Sequence, residues 1–294
     1  MINKYFLKYL CCPKCKKNLK LVKSVFCCNG CNKKYNIVQD IPIFLDSEDL
    51  SDHQKHQIEY FKKESEERGA YKLEEWQKSY IRRFDENFNI NKNDILVDIG
   101  AGSGYIAVEM AKRGAYVIAC DLTFASLLKL NKTVSNLKIR NKVLLICCDA
   151  QYLSIKSKIV DFITSNAVLE HLSKEKEAIR EIDRVSRKDT GLMITVPLKY
   201  KYLHPLFMLI NYIHDKRIGH LRRYDKDEIK QKFQNWEEIS CYYTGHMIKV
   251  IKVMTNRFVK LFNEKDIEKK DNKKENIRSG SSNICMFFRK KASI

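Results

Sequence analysis

The feature that most constrains this chain is the run ILVDIGAGSGYIA, residues 95–107. Ile95-Leu96-Val97-Asp98-Ile99 is short, β-branched and almost wholly apolar. That is the composition of a strand buried on both faces of a parallel sheet. Gly100-Ala101-Gly102-Ser103-Gly104 then turns the chain. Tyr105 to Arg113 has helical spacing, with apolar Ile106, Val108 and Met110, and Gly114 closes it. In a strand, glycine turn and helix of this kind, backbone N–H groups can approach a ligand closely where a Cβ would clash. The dinucleotide pattern G-x-G-x-x-G needs a third glycine at 105, where this chain has Tyr105. The spacing is instead G-x-G-x-G, with Asp98 beneath the loop. An acid there does nothing for a pyrophosphate and favours a ligand carrying an amino group and no phosphate.

The following elements repeat the alternation of strand and helix. Ala115 to Cys120 is a second buried-strand run ending in Asp121, and Lys142 to Cys148 is a third, ending at Asp149-Ala150. Ile159 to Thr164 is a fourth, followed by SNAVLEHL at 165–172. A helix through EIDRVSR leads to a fifth strand, GLMITVPL, and Glu237 to Thr244 reads as a sixth.

With these motifs in this order over residues 90–245, the chain resembles class I S-adenosylmethionine (SAM) methyltransferases of the small-molecule type. The resemblance implies an α/β fold: a doubly wound, seven-stranded, mostly parallel, Rossmann-like sheet, with NICMFFRKK returning as an antiparallel seventh strand. It implies SAM as cofactor, bound by Asp98, Gly100, Ala101, Gly102, Gly104, Asp121, Leu122, Asp149, Ala150 and Asn166. Asp121 is expected to accept hydrogen bonds from both ribose hydroxyls, and Asp149 to contact the adenine amino group. The alternative is another doubly wound domain with a chance glycine turn.

Eleven cysteines in a chain read as cytoplasmic, without a signal-peptide core or a membrane-length apolar run, argue for metal binding and buried thiols rather than disulfides. Cys12-x-x-Cys15 and Cys28-x-x-Cys31 form two knuckles, whose four thiolates can close a tetrahedral Zn²⁺ site. Cys11 and Cys27 neighbour the pairs, and Pro13 and Gly30 place Cys12 and Cys28 inside turns. A module this small needs the metal for stability. A redox CxxC is the alternative, although two matched pairs exceed what redox chemistry needs. Residues 1–45 resemble the zinc ribbon of the small activating subunit of tRNA and translation-factor methyltransferases.

The domain plan is a zinc ribbon at 1–45, a helical linker or lid at 46–94, and a methyltransferase domain at 95–294. The net charge of +19 is uneven: residues 1–45 hold nine lysines against one acid, and 257–294 hold eleven basic residues against five acids. Either a polyanion partner, RNA or an anionic membrane surface, is bound through these ends, or they are ordinary solvated lysine-rich faces. A chain peripheral to the membrane fits the first reading. In the lid, Tyr80, Arg82 and Arg83 are candidates for the methionine carboxylate, against a plain exposed charged face. After the fifth strand, 199–224 is expected to roof the acceptor pocket. It offers apolar Leu206, Phe207, Leu209 and Ile210, together with His220, Arg222, Arg223 and Tyr224 for an anionic group. Packing and capping by Asp225 is the alternative. His246 to Phe262 has one apolar helical face with basic flanks, and 263–282 reads as a mobile charged loop.

Asn166-Ala167-Val168-Leu169 lacks the Asn/Asp-Pro-Pro-aromatic signature of enzymes that methylate planar amino groups, and no Pro-Cys nucleophile stands there. That leaves an oxygen or carbon acceptor on a small molecule, with lipid and glycan intermediates in view. His171 is the candidate base, against a histidine hydrogen-bonded within its own helix. The rival functions are an RNA methyltransferase using ribbon lysines such as Lys16, Lys17, Lys33 and Lys34, and a non-catalytic partner-binding protein.

Overall fold

The computed structural model describes residues 2–203, 205–246, 249 and 263–292. Its centre is a seven-stranded sheet. In chain order the strands are β5 (Ile95–Ile99), β6 (Tyr116–Asp121), β7 (Val143–Cys147), β8 (Val160–Asn166), β9 (Ser186–Pro197), β10 (Trp236–Thr244) and β11 (Asn283–Lys290), and their spatial order is β10-β11-β9-β8-β5-β6-β7. β11 is antiparallel to both neighbours, and β7-β6-β5-β8-β9 run parallel. This is the Rossmann-like methyltransferase sheet that the motif order implies.

The strands read as unbroken apolar runs because both faces are covered. Alternation along them sorts their side chains into two cores. Val97, Ile99, Ile118, Ile146 and Ile163 face helix α5 (Glu175–Val185) through Ala178, Ile182 and Val185. Leu96, Val117, Ala119, Leu145 and Phe162 face α2 (Glu75–Asn87), α3 (Tyr105–Lys112) and α4 (Phe124–Asn136).

The N-terminal segment is a four-stranded antiparallel sheet: β1 (Leu19–Val22), β2 (Val25–Cys28), β3 (Lys34–Val38) and β4 (Ile41–Pro42). It is welded to the large sheet. Ile43 bridges Cys147 in parallel, and the Phe44 N–H donates to the Cys147 carbonyl at 2.8 Å. Phe6, Leu10, Phe26, Tyr35 and Phe44 join the same core as β5, β6 and β7. The ribbon thereby covers the edge of β7, which would otherwise present unpaired backbone groups. Among the described residues, no helix is long and apolar enough to cross a membrane.

The charged segment 263–282 differs from the expected mobile loop. It forms helix α8 (Glu264–Asn272), docked on α2 by buried polar contacts. Arg83, fully buried on α2, donates from Nη2 to Asn272 at 2.7 Å and from Nε to Glu275 at 3.2 Å. Asp271, also fully buried, accepts from Thr244 Oγ1 at 3.0 Å, pairs with His246 Nδ1 at 2.7 Å and contacts Lys249 Nζ at 2.8 Å. The charges are partners for cations on the facing elements, which sequence composition does not reveal. Of the apolar helix expected from His246 to Phe262, only His246 and Lys249 belong to the described residues, and both bind Asp271. Removing a buried cation strands its partners, at a cost of about 3 kcal/mol or more. Chemical denaturation of Arg83→Ala should therefore show a loss of that size, and a loss below about 0.5 kcal/mol would show the α2–α8 contact to be dispensable.

Candidate active site

β5 pairs with β6 on one side and β8 on the other, so chain direction diverges at its carboxyl end. Such a switch point opens a crevice above the sheet. The turn that begins there holds three glycines at positive φ: Gly100 at 68°, Gly102 at 49° and Gly104 at 75°. At Gly100 a Cβ would meet Val168 Cγ2 at 2.4 Å, and at Gly104 it would meet Leu130 Cδ1 at 2.2 Å. At Gly102 the nearest atom would be the Gly100 carbonyl oxygen at 3.8 Å, so its backbone is bare toward the crevice.

A cavity of about 380 Å³ fills the crevice. Asp98, Gly100, Ala101, Gly102, Asp121, Leu122, Asp149, Ala150 and Asn166 all line it. Gly104 does not. It stands one residue before α3, where it gives the turn its conformation and lets Leu130 approach.

Three carboxylates mark the cofactor end. Asp121 accepts from the Gly102 N–H at 2.8 Å and the Thr123 N–H at 2.7 Å. A carboxylate has about four acceptor sites, so two N–H bonds leave others available. Burial raises its pKa, with the backbone bonds opposing. Asp149 accepts from Gln54 Nε2 at 2.7 Å and from the Gln151 N–H at 2.8 Å. Asp98 is buried and accepts from Thr164 Oγ1 at 2.7 Å. Burial pushes its pKa up to about 7, with the Thr164 bond opposing and the neighbouring Asp121 charge adding to the rise. Asn166 Nδ2 donates to the Tyr105 hydroxyl at 2.7 Å, which fixes the end of β8 against α3.

Sequence reasoning expects helices of 46–94 over the mouth of the pocket but does not single out the side chains they supply to its wall. Helix α1 (Asp52–Glu67) lines it with Gln54, Gln57, Tyr60, Phe61 and Glu64, followed by Arg68 and then Trp76 on α2. Gln54, Gln57, Phe61 and Glu64 recur at helical spacing along one face. Because glutamines hold two of those places, a search for apolar periodicity passes over them. Tyr80, Arg82 and Arg83, the expected carboxylate contacts, do not reach the cavity. Arg82 pairs with Glu86 at 2.6 Å and Glu275 at 2.7 Å, and Arg83 is committed to α8.

The other end of the cavity is built by the segment after β9. Helix α6 (Pro205–Ile218) and the turn after it bring His214, Ile218 and His220 beside His171. Leu209 is 66% exposed and points to solvent, while the side chains of Leu206 and Phe207 lie outside the described set. Three of the four residues expected to hold an anionic group turn inward instead. Arg222 Nη1 donates to the Leu172 carbonyl at 2.6 Å. Arg223 donates to Asp215 through Nε at 2.5 Å and Nη2 at 2.8 Å, and to the Leu198 carbonyl at 2.8 Å. Tyr224 is buried and its backbone pairs with Pro197 and Lys199. These bonds anchor the roof to β9, and Arg222 and Arg223 line a separate cavity with Lys199, Lys201 and Lys216 instead of this one. Asp225 caps α7 (Lys226–Lys232) in a capping box with Glu228.

Only His220 of that set lines the cavity. Its Nδ1 pairs with Asp215 Oδ1 at 2.9 Å, and its ring packs edge-on to His171 at 4.7 Å between centroids. Burial would raise Asp215, but the bonds from His220, Arg223 and Tyr200 outweigh it and hold the acid well below its usual range. Burial, followed by the His220 charge, lowers His171 to about 3. Glu170, behind the two histidines, is pushed up to about 8 by burial.

The four ribbon cysteines also converge, with Sγ atoms all within 4.8 Å of one another. Cys12 and Cys31 Sγ are 3.6 Å apart, and Cys15 and Cys28 Sγ are 3.3 Å apart. Burial would raise the Cys28 thiol, but the N–H groups of Cys31 and Gly30 bring it to about 6. Cys11 is buried at the joint with the large sheet, and Cys27 pairs across β1 and β3.

Comparison with known proteins agrees with this geometry. Residues 97–194 match a family model described as a methyltransferase domain. A demethylmenaquinone methyltransferase of Corynebacterium urealyticum is 28% identical over 119 residues, which is 40% of this chain and 46% of that protein. A probable cobalt-precorrin-6B C(15)-methyltransferase of Methanocaldococcus jannaschii is 38% identical over 53 residues, covering 18% of this chain and 29% of that one. The chain spans less than half the length of these curated relatives. Geranyl diphosphate C-methyltransferase of Streptomyces coelicolor, solved with Mg²⁺, geranyl diphosphate and S-adenosylhomocysteine, superposes with a TM-score of 0.61 at 13% identity, over 82% of this chain and 99% of that one. Residues 97–194 thus match a methyltransferase domain, and the sheet built around them has the fold of that solved methyltransferase.

The depressed value for His171 has a direct readout. A histidine whose folded pKa lies below its unfolded one costs stability as pH falls from about 6.5 toward that folded value. In NMR titration the His171 ring signals should stay fixed from pH 8 to about pH 4.5, where an ordinary histidine has already charged. Titration near 6.5 would show the ring to be solvated.

Proposed function

We propose that the chain transfers the methyl group of SAM to an oxygen or carbon of a small-molecule acceptor, of the lipid- or glycan-intermediate kind. The observation that carries this reading is the placement of Asp98, Asp121 and Asp149 around bare Gly102 in one cavity at the β5 switch point. In this reading Asp121 takes the ribose hydroxyls and Asp149 the adenine amino group, while Asp98 faces the ammonium of the methionine part. Gln54 and Gln57 on α1 close over them. Bound SAM supplies an activated methyl on a sulfonium. An acceptor lone pair attacks the methyl carbon, the carbon–sulfur pair stays on sulfur, and a hydroxyl acceptor gives up its proton. The protein contributes alignment first.

His171 faces the cavity, but a ring lowered to about 3 is a poor proton acceptor at neutral pH, so its role as general base loses its physical basis. The RNA alternative is weakened because Lys16 pairs with Glu181 at 2.6 Å and Lys33 with Asp46 at 2.5 Å. Those two charges are already used within the fold.

Asp98 supplies a signed pH test. Below about pH 7 it is protonated in the free protein and offers an ammonium little attraction. SAM affinity measured by calorimetry should rise by about tenfold from pH 5.5 to 7.5, and Asp98→Asn should flatten that rise. Gly102→Val should abolish binding, and NAD should not compete. Competition by NAD would defeat the cofactor reading.

We also infer that Cys12, Cys15, Cys28 and Cys31 hold one structural Zn²⁺. Their mutual spacing lies close to the S···S edge of about 3.8 Å that a tetrahedral ion with Zn–S bonds of about 2.3 Å requires, and N–H donors already favour a thiolate at Cys28. Metal analysis should find one equivalent of zinc, lost in Cys12→Ser and Cys28→Ser and retained in Cys11→Ser and Cys27→Ser. Because the ribbon shares a core with β5, β6 and β7, metal loss should also lower the melting temperature of the whole chain. Full zinc in Cys12→Ser would disprove the assignment.

A further inference from the structure

The acceptor end of the cavity contains a second group of ligand-bearing side chains. Glu170, His171 and His220 each offer one ligand atom, and these atoms lie within 4.8 Å of one another. Glu170 is completely buried, and its carboxylate finds no hydrogen-bond partner beyond its own backbone N–H. A buried acid without a partner is costly, because it has given up water and received nothing in exchange. Nδ1 of His171 is buried and likewise without a partner. His220 faces Glu170, with Nε2 at 3.7 Å from Oε1.

We propose that Glu170, His171 and His220 form a binding site for a divalent cation in the wall of the cavity, and that this ion holds an oxygen of the methyl acceptor. Two imidazoles and one carboxylate are the donor set of first-row divalent ions with open positions for an exogenous oxygen. The ligands are supported from behind. Nδ1 of His220 pairs with Asp215, which leaves Nε2 with its lone pair toward Glu170. Asp215 is itself held by Arg223 and Tyr200, so the roof's ion pairs set the orientation of the ring. The backbone carries the site as a unit: the Leu221 N–H donates to the Glu170 carbonyl at 2.8 Å, and His53 Nε2 on α1 contacts the His171 carbonyl at 2.8 Å. A movement on the order of 1 Å draws the three ligand atoms from their present spacing to a common ion at about 2.1 Å from each. His171 and His220 line the cavity, so the open side of the ion faces the acceptor.

This inference rests on the methyltransferase reading and narrows its acceptor to one bearing a hydroxyl, enol or carboxyl oxygen at the reacting end. It also fills the place left by His171 as base. A cation lowers the pKa of an acceptor hydroxyl, so the proton passes to water. The oxygen lone pair, or for an enolate its α-carbon, then forms the bond to the methyl carbon, and the carbon–sulfur pair stays on sulfur. The ion neither gives nor takes an electron.

The test uses the full chain with its ribbon zinc-loaded and S-adenosylhomocysteine bound. Mn²⁺ is the probe, since it prefers N/O donors and does not displace thiolate-bound zinc. Electron paramagnetic resonance should show the free-ion signal suppressed by one equivalent per chain. Glu170→Gln and His220→Gln should each weaken that binding by about tenfold or more while leaving S-adenosylhomocysteine affinity within about twofold. His171→Gln, on the cavity wall, serves as a third variant if Glu170→Gln fails to fold. No saturable Mn²⁺ binding to the wild-type chain overturns the inference, as does equal binding in folded variants; Glu170 is then a neutral buried acid. Because S-adenosylhomocysteine binding is measured separately, its absence in the wild-type chain sinks the methyltransferase reading, and its presence without Mn²⁺ binding sinks only the cation site.

Discussion

The site depends on one strand having parallel partners on both sides. β5 pairs with β6 along its whole length and with β8 from Leu96 to Ile99, and its residues are buried. The chain can leave it only by a turn tight enough to clear Val168 on the neighbouring loop and Leu130 on α4, which is why glycines with positive φ stand at 100 and 104. That turn delivers the Gly102 N–H to Asp121, so two strands that are neighbours in the sheet also become joined across the crevice. Asp98 is buried by the same arrangement. A carboxyl that would be unremarkable on a surface is there raised to about 7 and responsive to a cationic ligand.

The appended segments hold this centre in place. The ribbon closes the edge of β7 and adds its aromatics to the core beneath β5 and β6. At the other side, Asp271, Asn272 and Glu275 receive Arg83, His246 and Lys249. Three of the basic residues near the termini are spent internally, with Lys16 on Glu181, Lys33 on Asp46 and Lys290 on Asp183. Net charge in the sequence overstates the positive surface offered to a polyanion.

The legible parts of the sequence were those set by backbone periodicity and by fixed spacing. Buried parallel strands show as apolar runs, and the acids that end β6 and follow β7 fall where such strands deliver a ligand. The four ribbon cysteines are fixed by turn chemistry over short distances. The illegible parts were side chains whose partner lies far away in sequence. Arg223 sits in the right segment, but Asp215 on α6 captures it before any substrate can. Arg82 and Arg83 are claimed by residues nearly two hundred positions away. The α1 wall escaped because Gln54 and Gln57 are polar in sequence and half-buried or buried in place, each bonded across the cleft to Asp149 or to the Ile218 carbonyl.

These long-range pairings divide the cavity into two chemically distinct ends. At the cofactor end, the acids are hydrogen-bonded: Asp121 by backbone N–H groups, Asp98 by Thr164, and Asp149 by Gln54 and Gln151. At the acceptor end, Arg223 is bonded to Asp215 and Arg222 to the Leu172 carbonyl, and the Glu170 carboxylate beside the two imidazoles has no hydrogen-bond partner from either. An anionic acceptor group approaching that wall meets a buried acid, while Arg223 is held by Asp215. Charge there can be balanced only by a proton or by a cation that arrives from outside. The arginines that the sequence offers as substrate clamps thus determine the site's character indirectly, by leaving it unneutralised.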